Sequence, residues 1–391
     1  MLDDFLPSHG GQLREIAKRF HVSEESLLDF SASISPVPPS DAIVTALCES
    51  LRGREILVRY PDSEYPVLKQ AIAQYAGVDP SSICIANGVM PLLDAALRAF
   101  GLRRCLVLVP AFGEYQRVLR SCGTERITFA LREQDNFSVN PEAVLREVKH
   151  YSADSVLLAN PHSPSGWLTP ADIITQLQSA LSSIGVTTIL DEAFVDYSPE
   201  VSLSGLAADV CGVVVLRSLT KFFAMPGLRV AYSVTQPENQ ARMKSILPLW
   251  PVDSLAASAA RIALLDSALV RKTREANTHE RRWLTEQMSA LGVEVFPGTA
   301  NYLLVRLPGG VDGFKVWRRL IVDRLIVVRN CASFEGLTSQ YLRIAVRDRV
   351  ANQKLVNALT HVLSLVLAAS KGHNDRPVWR KARWPRFDEC A

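Results

Sequence analysis

Short, mainly apolar segments alternate with amphipathic segments along the middle of the chain. The apolar segments predict buried strands at 83–86, 105–110, 155–160, 187–193, 212–218 and 229–234. The amphipathic segments between them predict helices at 90–100, 113–122, 141–150 and 170–184. Strands that are apolar throughout are typical of parallel sheets covered on both faces. We therefore predict an α/β fold in which helices cover a mostly parallel sheet.

The pattern changes after about residue 250 and divides the chain into four predicted parts. A long helical stretch at 254–292 precedes shorter strands and helices, which predict a small α+β domain at 251–370. Residues 51–250 form the predicted large domain, and residues 1–50, which lack a strand–helix rhythm, are expected to join the small one. Residues 371–391 are basic and rich in Trp, and we interpret them most simply as a solvated, partly ordered tail.

Composition and charge limit the kinds of partner and site that the protein is expected to have. The net charge of +3 is too small to indicate a nucleic-acid partner. The seven cysteines show no CxxC pairing, so they predict reduced thiols in a cytoplasmic protein and neither a disulfide framework nor a metal site. The apolar run at 359–370 is too short to span a bilayer, and we expect no membrane association.

Polar side chains appear where three of the predicted strands end. Asp191 ends one strand, Ser218 and Lys221 follow another, and residues 159–166 leave a third through a Pro/Ser/Gly turn. Ligands of open α/β sheets bind beyond the carboxyl ends of the strands. A charge that follows a buried strand is costly unless it meets a partner. The pattern therefore predicts a ligand site at this edge.

Pyridoxal phosphate is the cofactor that needs this set of groups. It needs an amine, which Lys221 would supply, and an anion facing its ring nitrogen, which would be Asp191. Its phosphate needs a hydroxyl and a cation, for which Ser218 and Arg229 are the candidates. Alone, Lys221 also fits a surface lysine and Asp191 a helix N-cap. The occurrence of both residues at the ends of predicted strands favours a cofactor site over these alternatives.

A second segment completes the predicted phosphate site. In "ANGVMPLLDAAL" a strand passes through Asn-Gly into a helix, so the free N–H groups around Gly88, Val89 and Met90 point towards an anion. Phe112 follows another strand and is a candidate to stack on the cofactor ring, although taken alone it fits a core position better.

Several longer motifs resemble a known family. The sequence is similar to fold type I pyridoxal-phosphate enzymes of the histidinol-phosphate aminotransferase branch, and within it to the threonine-phosphate decarboxylases of cobalamin biosynthesis. The resemblance covers about residues 8–365. The motifs that carry it are "HGGQLREIAKRF", "LLDFSASISP", "RYPDSEYPVLKQAIA", "PAFGEYQRVL", "ILDEAFVDY", "LRSLTKFFAMPGLRVAY", "GTANYLLVRL" and "VVRNCASFEGLTSQYLRIAVR".

The resemblance implies roles for further residues. Tyr60 matches a tyrosine that reaches the cofactor phosphate of a neighbouring subunit, which implies a homodimer. Arg329 and Arg343 match arginines that bind the substrate carboxylate, a geometry that suits guanidinium. His9 and the segment around Ser33 match the part that closes over the substrate phosphate, although His9 also fits a flexible terminus.

Two departures from the family pattern concern the substrate and the cofactor. Ser163 stands where the family usually has an asparagine that donates a hydrogen bond to the phenolic oxygen of the cofactor. Phe194 stands, as in the decarboxylases, where aminotransferases have a tyrosine that contacts the same oxygen. Ser33 and Ser35 also replace usual asparagines, which leaves the identity of the substrate open.

The resemblance implies decarboxylation of L-threonine O-3-phosphate to (R)-1-amino-2-propanol O-2-phosphate for the cobalamin nucleotide loop. One alternative is an aminotransferase acting on a phosphorylated amino compound such as histidinol phosphate. Another is a relative acting on a different phosphorylated or phosphonate amino acid. A non-catalytic cofactor sensor fused to a DNA-binding module is disfavoured, because no winged-helix pattern precedes residue 50.

Overall fold

A computed structural model describes residues 6–371, and these residues form two sheets and the helices that cover them. The strands are β1 (Leu28–Phe30), β2 (Ile83–Ala86), β3 (Arg104–Val109), β4 (Glu125–Ala130), β5 (Ser155–Ala159), β6 (Thr187–Asp191), β7 (Val213–Ser218), β8 (Ala231–Val234), β9 (Glu294–Val295), β10 (Tyr302–Arg306), β11 (Ile326–Asn330) and β12 (Tyr341–Ala345).

The helices cover both sheets. They are α1 (Leu13–Phe20), α2 (Asp41–Gly53), α3 (Glu55–Val58), α4 (Pro66–Ala76), α5 (Val89–Phe100), α6 (Glu114–Cys122), α7 (Pro141–Tyr151), α8 (Ala171–Ser182), α9 (Ser204–Asp209), α10 (Pro237–Lys244), α11 (Ser254–Leu265), α12 (Ser267–Ala290), α13 (Gly313–Arg324) and α14 (Arg349–Lys371).

The larger sheet has the strand order β2-β8-β7-β6-β5-β3-β4. Its neighbouring strands are parallel except at β8, which runs antiparallel to both β2 and β7. Successive residues of one strand face different cores: Leu106 packs in one hydrophobic cluster and Val107 in the other. The predicted α/β fold, with helices on both faces of a mostly parallel sheet, is confirmed.

Strand β4 was not predicted from the sequence. It lies at the edge of the larger sheet, and only Ile127 of its six residues is buried. An edge strand with one solvent-facing side carries charged residues instead of an apolar run. The hydrophobic signal that identified the central strands is therefore missing here.

The smaller sheet has the order β1-β11-β12-β10-β9. Residues 28–30 pair in parallel with residues 326–328, so part of the first fifty residues belongs to this sheet. Ile43 of α2, however, packs in the core of the larger sheet. The four domain boundaries stay predictions, and residues 372–391 of the predicted tail lie outside the described residues.

The predicted single helical stretch at 254–292 is two helices, α11 and α12. They are interrupted at Asp266, whose carboxylate accepts a hydrogen bond of 2.8 Å from the Leu269 amide and so caps the second helix. The hydrophobic periodicity continues across this N-cap, so periodicity alone predicts one helix where there are two.

No helix in the described part of the chain is long and apolar enough to cross a membrane. The six cysteines between residues 6 and 371 are all free thiols. In that same range, no three His, Cys, Asp or Glu side chains are grouped so that they could bind a metal ion.

Candidate active site

A cavity of about 510 Å³ lies at the carboxyl ends of the parallel strands and between the two sheets. Its lining includes most of the residues predicted from the sequence, which come from widely separated segments. These residues are His9, Ser33, Val89, Met90, Phe112, Ser163, Asp191, Lys221, Arg329 and Arg343.

The strand register explains why these residues meet. Asp191 is the last residue of β6 and pairs with Leu216 of β7 on one side and Ala159 of β5 on the other. Parallel neighbours in register end at the same edge, so the polar groups that follow each strand are brought together.

Lys221 lies at this edge with its amine close to two hydroxyl groups. The Lys221 Nζ is 3.1 Å from the Thr220 Oγ1 and 3.5 Å from the Ser218 Oγ, and these two oxygens are 2.8 Å apart. Burial lowers the pKa of Lys221 to about 8; Asp191 opposes this effect, while Arg229 and Arg343 add to it. A larger fraction of the amine than in an ordinary lysine is therefore neutral and nucleophilic near neutral pH.

Asp191 is a buried carboxylate held by two donors. The Tyr115 hydroxyl donates to its Oδ2 at 2.5 Å, and the Ala193 amide donates to its Oδ1 at 2.9 Å. Burial raises the pKa of Asp191, and the hydrogen bond from Tyr115, the Ala193 amide and the Lys221 charge oppose that rise. The carboxylate is thus oriented and lacks a cationic hydrogen-bond partner within the described residues.

The start of α5 and Arg229 form an anion-binding corner. Gly88 is the N-cap of α5 with φ of 90°, and a Cβ at this position would lie 2.9 Å from the Arg229 Nη2. The positive φ favours glycine, and a side chain at this position would displace the Arg229 guanidinium. The unpaired N–H groups of a helix start and a neighbouring arginine suit a phosphate.

Arg329 and Arg343 stand opposite each other on neighbouring strands of the smaller sheet. Burial, together with the nearby Arg343 charge, lowers the pKa of Arg329 to about 10. Within the described residues neither guanidinium forms an ion pair with a carboxylate. Two adjacent cations that lack an acidic partner at the wall of a cavity favour an anionic ligand.

The two guanidinium groups differ in what they already bind. Arg329 donates to the backbone oxygens of Pro7 and Ser8 and to the Ser333 hydroxyl. Arg343 donates one longer bond, of 3.3 Å, to the Ser31 oxygen, and its buried Nε has no partner in the described part of the chain. Arg343 therefore retains N–H donors that no described residue uses.

His9 lies at the entrance of the cavity. Its Nε2 is 2.9 Å from the Glu114 Oε1, and its ring centroid is 5.6 Å from that of Phe112. Arg329 binds the backbone immediately before it. The N-terminal segment is thus attached at both edges of the opening.

Ser33 and Ser163 are buried hydroxyl groups in the cavity wall. The Ser33 Oγ has no hydrogen-bond partner among residues 6–371. A buried polar atom without a partner is costly, which favours a ligand group at this position.

Four predicted site residues do not line the cavity. Gly88, Ser218 and Arg229 lie directly behind it, as the contacts above show. Tyr60 is different: it is 78% exposed and stacks on Trp250, with ring centroids 4.2 Å apart. A single chain does not bring Tyr60 into its own cavity.

Sequence reasoning missed two residues that hold the predicted ones. Tyr115 binds Asp191, and Thr220 lies beside the amine of Lys221. Tyr115 follows Phe112 by three residues, a spacing that places both on one side of a helical turn and offered a usable signal. Thr220 gave no comparable signal, since a threonine before a lysine is common.

Fold and site together define the class of protein. The mixed sheets and their helices form the aminotransferase-like fold of fold type I. The chain belongs to the aminotransferase class I and II family, whose model matches residues 25–359. The resemblance to this family and the prediction that the protein is an enzyme are confirmed.

Three known proteins are similar to the chain, and the third shows the fold alone. It is 35% identical over 368 residues to the threonine-phosphate decarboxylase of Salmonella typhimurium, covering 93% of this chain and 99% of the relative. The solved L-threonine-O-3-phosphate decarboxylase of Porphyromonas gingivalis is 25% identical, with a TM-score of 0.73 over 86% of this chain and 99% of that chain. The histidinol-phosphate aminotransferase of Sinorhizobium meliloti, solved in complex with pyridoxal-5'-phosphate, shares the fold at 20% identity, with a TM-score of 0.81 over 92% and 95% of the two chains.

Proposed function

We propose that the protein uses pyridoxal 5'-phosphate to decarboxylate L-threonine O-3-phosphate to (R)-1-amino-2-propanol O-2-phosphate. We further propose that the product serves the cobalamin nucleotide loop. The similarity to the Salmonella typhimurium decarboxylase over nearly the whole chain supports this choice of reaction.

The observation that carries the proposal is a pair of arginines in the cavity that also holds Lys221 and Asp191; neither arginine has an acidic partner among the residues that the structure describes. A phosphorylated amino acid bears two anionic groups, a carboxylate and a phosphate. Arg343, which has the Arg329 guanidinium beside it, matches the carboxylate of such a substrate, whereas histidinol phosphate has no carboxylate. The arrangement thus favours an amino acid substrate.

The residues present fit the cofactor. Lys221 would hold its aldehyde carbon, and Asp191 its protonated ring nitrogen. The backbone at Val89 and Met90, with Arg229, would hold its phosphate. The glycine at position 88, which a side chain could not replace without displacing Arg229, supports this assignment.

The cofactor supplies, when bound, an electron sink for the bond that breaks at the substrate Cα. Arg343 orients the substrate carboxylate, because its guanidinium retains unused donors. His9 and Arg329 position the N-terminal segment across the opening and exclude water. After carbon dioxide leaves, Lys221 Nζ is the group placed to deliver a proton to Cα.

A direct assay tests the reaction. We expect the purified protein, supplied with pyridoxal phosphate and L-threonine O-3-phosphate, to release one carbon dioxide for each amino alcohol phosphate formed. Formation of a keto acid without carbon dioxide, in the presence of 2-oxoglutarate as amino acceptor, would contradict the proposal and favour the aminotransferase alternative.

Substitution of Arg343 tests which guanidinium binds the substrate. Arg343→Lys keeps the charge but loses the planar fork, so we expect kcat/KM to fall about 10–100-fold, the effect of a charge-assisted hydrogen bond. Arg282→Lys, at a side chain that is 82% exposed on α12, is the matched control and should leave kcat/KM unchanged. An equal kcat/KM for Arg343→Lys and wild type would contradict the assignment.

The reactivity of Lys221 is expected to depend on pH. Burial lowers the pKa of Lys221 to about 8, so the neutral amine increases as pH rises through that value. We expect the rate at which the cofactor-free protein binds pyridoxal phosphate to rise with a midpoint near pH 8, measured by the appearance of yellow absorption. A rate that keeps rising towards 10.5, the value of an ordinary lysine, would contradict this.

We propose a homodimer in which Tyr60 reaches the cofactor phosphate of the partner subunit. Support comes from the exposed apolar side chains near Tyr60: Leu57, Val58 and Leu249 are 62%, 80% and 58% exposed. An exposed apolar patch of this kind marks an interaction surface.

The dimer can be tested by mass in solution. We expect sedimentation to give twice the 43.1 kDa of the chain, and Val58→Glu to shift the protein towards monomer with loss of activity. Val350→Glu, at an apolar residue that is 67% exposed on α14, serves as control. A wild-type monomer with full activity would contradict the proposal.

We also propose a cytoplasmic location. The free thiols of the described cysteines, of which Cys84, Cys105 and Cys331 are buried, support a reducing environment.

A further inference from the structure

Arg343 carries a charge in the cavity wall that no carboxylate among residues 6–371 balances. Its guanidinium donates a hydrogen bond of 3.3 Å to the Ser31 oxygen, and its buried Nε has no partner in the same range. A cation that is removed from water is costly unless other groups stabilise it. The groups beside this guanidinium are therefore expected to stabilise its charge and to fix its direction.

Two aromatic rings lie close to the Arg343 guanidinium. Its central carbon is 5.1 Å from the ring centre of Tyr302 and 5.9 Å from that of Phe334. Tyr302 is fully buried and Phe334 is only 6% exposed. A guanidinium over the face of a ring, within about 6 Å of its centre, is attracted by the π system, and more strongly where water is excluded.

The strand order of the smaller sheet places the two rings on either side of Arg343. Strand β12, which carries Arg343, lies between β10 and β11. Tyr302 is on β10, two residues before Leu304, which pairs directly with Arg343, so the ring and the guanidinium are diagonal neighbours on one face of the sheet. Phe334 follows β11 on the other side. Arg343 is thus flanked from both neighbouring strands.

The Tyr302 ring is itself held in place. Its hydroxyl donates to the His162 backbone oxygen at 3.0 Å, and its ring meets that of Phe194 edge-on, with 5.0 Å between the centroids. Burial raises the pKa of Tyr302 to about 12, so the phenol is neutral near neutral pH. Tyr302 therefore interacts with Arg343 through its ring and not as an anion.

Phe334 lies close to both arginines of the cavity. Its ring centre is 5.5 Å from the guanidinium carbon of Arg329, and the residue lines the cavity. Arg329 and Arg343 stand opposite each other on neighbouring strands, so their charges repel each other. A ring beside both cations lowers the cost of placing them together.

We propose that Tyr302 and Phe334 are positioning residues that hold the Arg343 guanidinium by cation–π contact, so that its unused N–H donors face the substrate carboxylate. The inference rests on the proposed function in taking this carboxylate as the ligand of Arg343. Neither ring needs to touch the reacting atoms, because both act through the guanidinium.

The contribution of a carboxylate to ligand binding tests the proposal. The ligands 3-hydroxybutyrate O-phosphate and 2-propyl phosphate differ only in a carboxylate, and neither has an amine that could react with the cofactor. We expect calorimetry on the cofactor-loaded wild-type protein to show tighter binding of the first ligand. Phe334→Leu and Tyr302→Leu should each reduce the ratio of the two dissociation constants by about 3–30-fold, the effect of a desolvated cation–π contact.

Further variants distinguish the aromatic face from packing. Tyr302→Phe and Phe334→Tyr keep a ring and should retain more of the ratio than the leucine variants. In an Arg343→Gln protein, Phe334→Leu should change the ratio no further, because the cation is absent. Phe100→Leu removes a ring that lies 5.2 Å from the Arg242 guanidinium and does not line the cavity, and this control should keep the wild-type ratio.

Three outcomes would overturn the inference: a wild-type ratio in both leucine variants, a further loss when Phe334→Leu is added to Arg343→Gln, or a wild-type affinity that does not depend on the carboxylate. A general distortion of the site weakens both ligands and leaves their ratio unchanged. Should Tyr302→Leu fail to fold, Phe334→Leu decides the question. Failure of the proposed reaction is distinguishable, because it appears as absence of carbon dioxide release and leaves the binding ratios measurable.

Discussion

Lys221→Ala is expected to abolish the reaction. The variant lacks the only amine among the residues that line the described cavity, and with it both the covalent attachment of the cofactor and the proton source proposed for Cα. Loss of a nucleophile that also acts in proton transfer should reduce kcat by at least about 10⁴-fold. Carbon dioxide release by purified variant and wild type, at saturating substrate, measures the effect.

A second measurement identifies the covalent bond. Borohydride treatment of the wild-type protein should attach the cofactor permanently to the peptide containing Lys221, and the variant should show neither the yellow absorption nor the attachment. Lys315→Ala, whose side chain is 72% exposed on α13, is the control. Attachment at another lysine in the wild-type protein would contradict the assignment.

The sequence predicted the centre of this site because burial and charge conflict there. Asp191 ends one buried strand and Lys221 follows another, and the register of β6 and β7 then brings the strand ends together. The apolar runs identified the strands, and the parallel pairing that they imply gave the shared edge. No knowledge of side-chain packing was needed for this step.

The rest of the site could not be read from local patterns. Tyr115 contributes through a contact to Asp191, 76 residues away in the sequence. Such contacts depend on how helices and loops pack over the sheet, which hydrophobic periodicity does not specify. The same limit applies to edge strand β4, whose pairing with β3 is set by position and not by an apolar run.

The two arginines show that packing can separate the roles of residues to which the sequence motifs assign the same role. The resemblance gave Arg329 and Arg343 the same predicted role, and both do line the cavity. The structure distinguishes them, because Arg329 already binds the oxygens of Pro7 and Ser8 whereas the buried Nε of Arg343 has no partner among residues 6–371. One cation is thus used largely to hold the N-terminal segment, and the other is available to a ligand.

Asp191→Asn is expected to have the second largest effect. Asparagine preserves the shape but cannot balance a positive charge on the cofactor's ring nitrogen, so the electron sink is weakened. Breaking a buried charge pair costs about 3–5 kcal/mol, which corresponds to a loss in kcat of about 10²–10⁴-fold. The yellow absorption should persist, because Lys221 is intact; kcat from carbon dioxide release measures the loss.

The effect of losing the Asp191 charge can be distinguished from destabilisation of the fold. Burial raises the pKa of Asp191, and the Tyr115 hydrogen bond, the Ala193 amide and Lys221 counter that rise, so the carboxylate depends on its neighbours to stay charged. Tyr115→Phe should therefore also lower kcat, by less than Asp191→Asn. The effect should be strongest at low pH, because without the Tyr115 hydrogen bond the Asp191 carboxylate protonates at a higher pH than in the wild type. Asp209→Asn, at an exposed residue, controls for loss of one negative charge. An Asp191→Asn protein with wild-type kcat would show that the ring nitrogen needs no anion, and the assignment of Asp191 would fail.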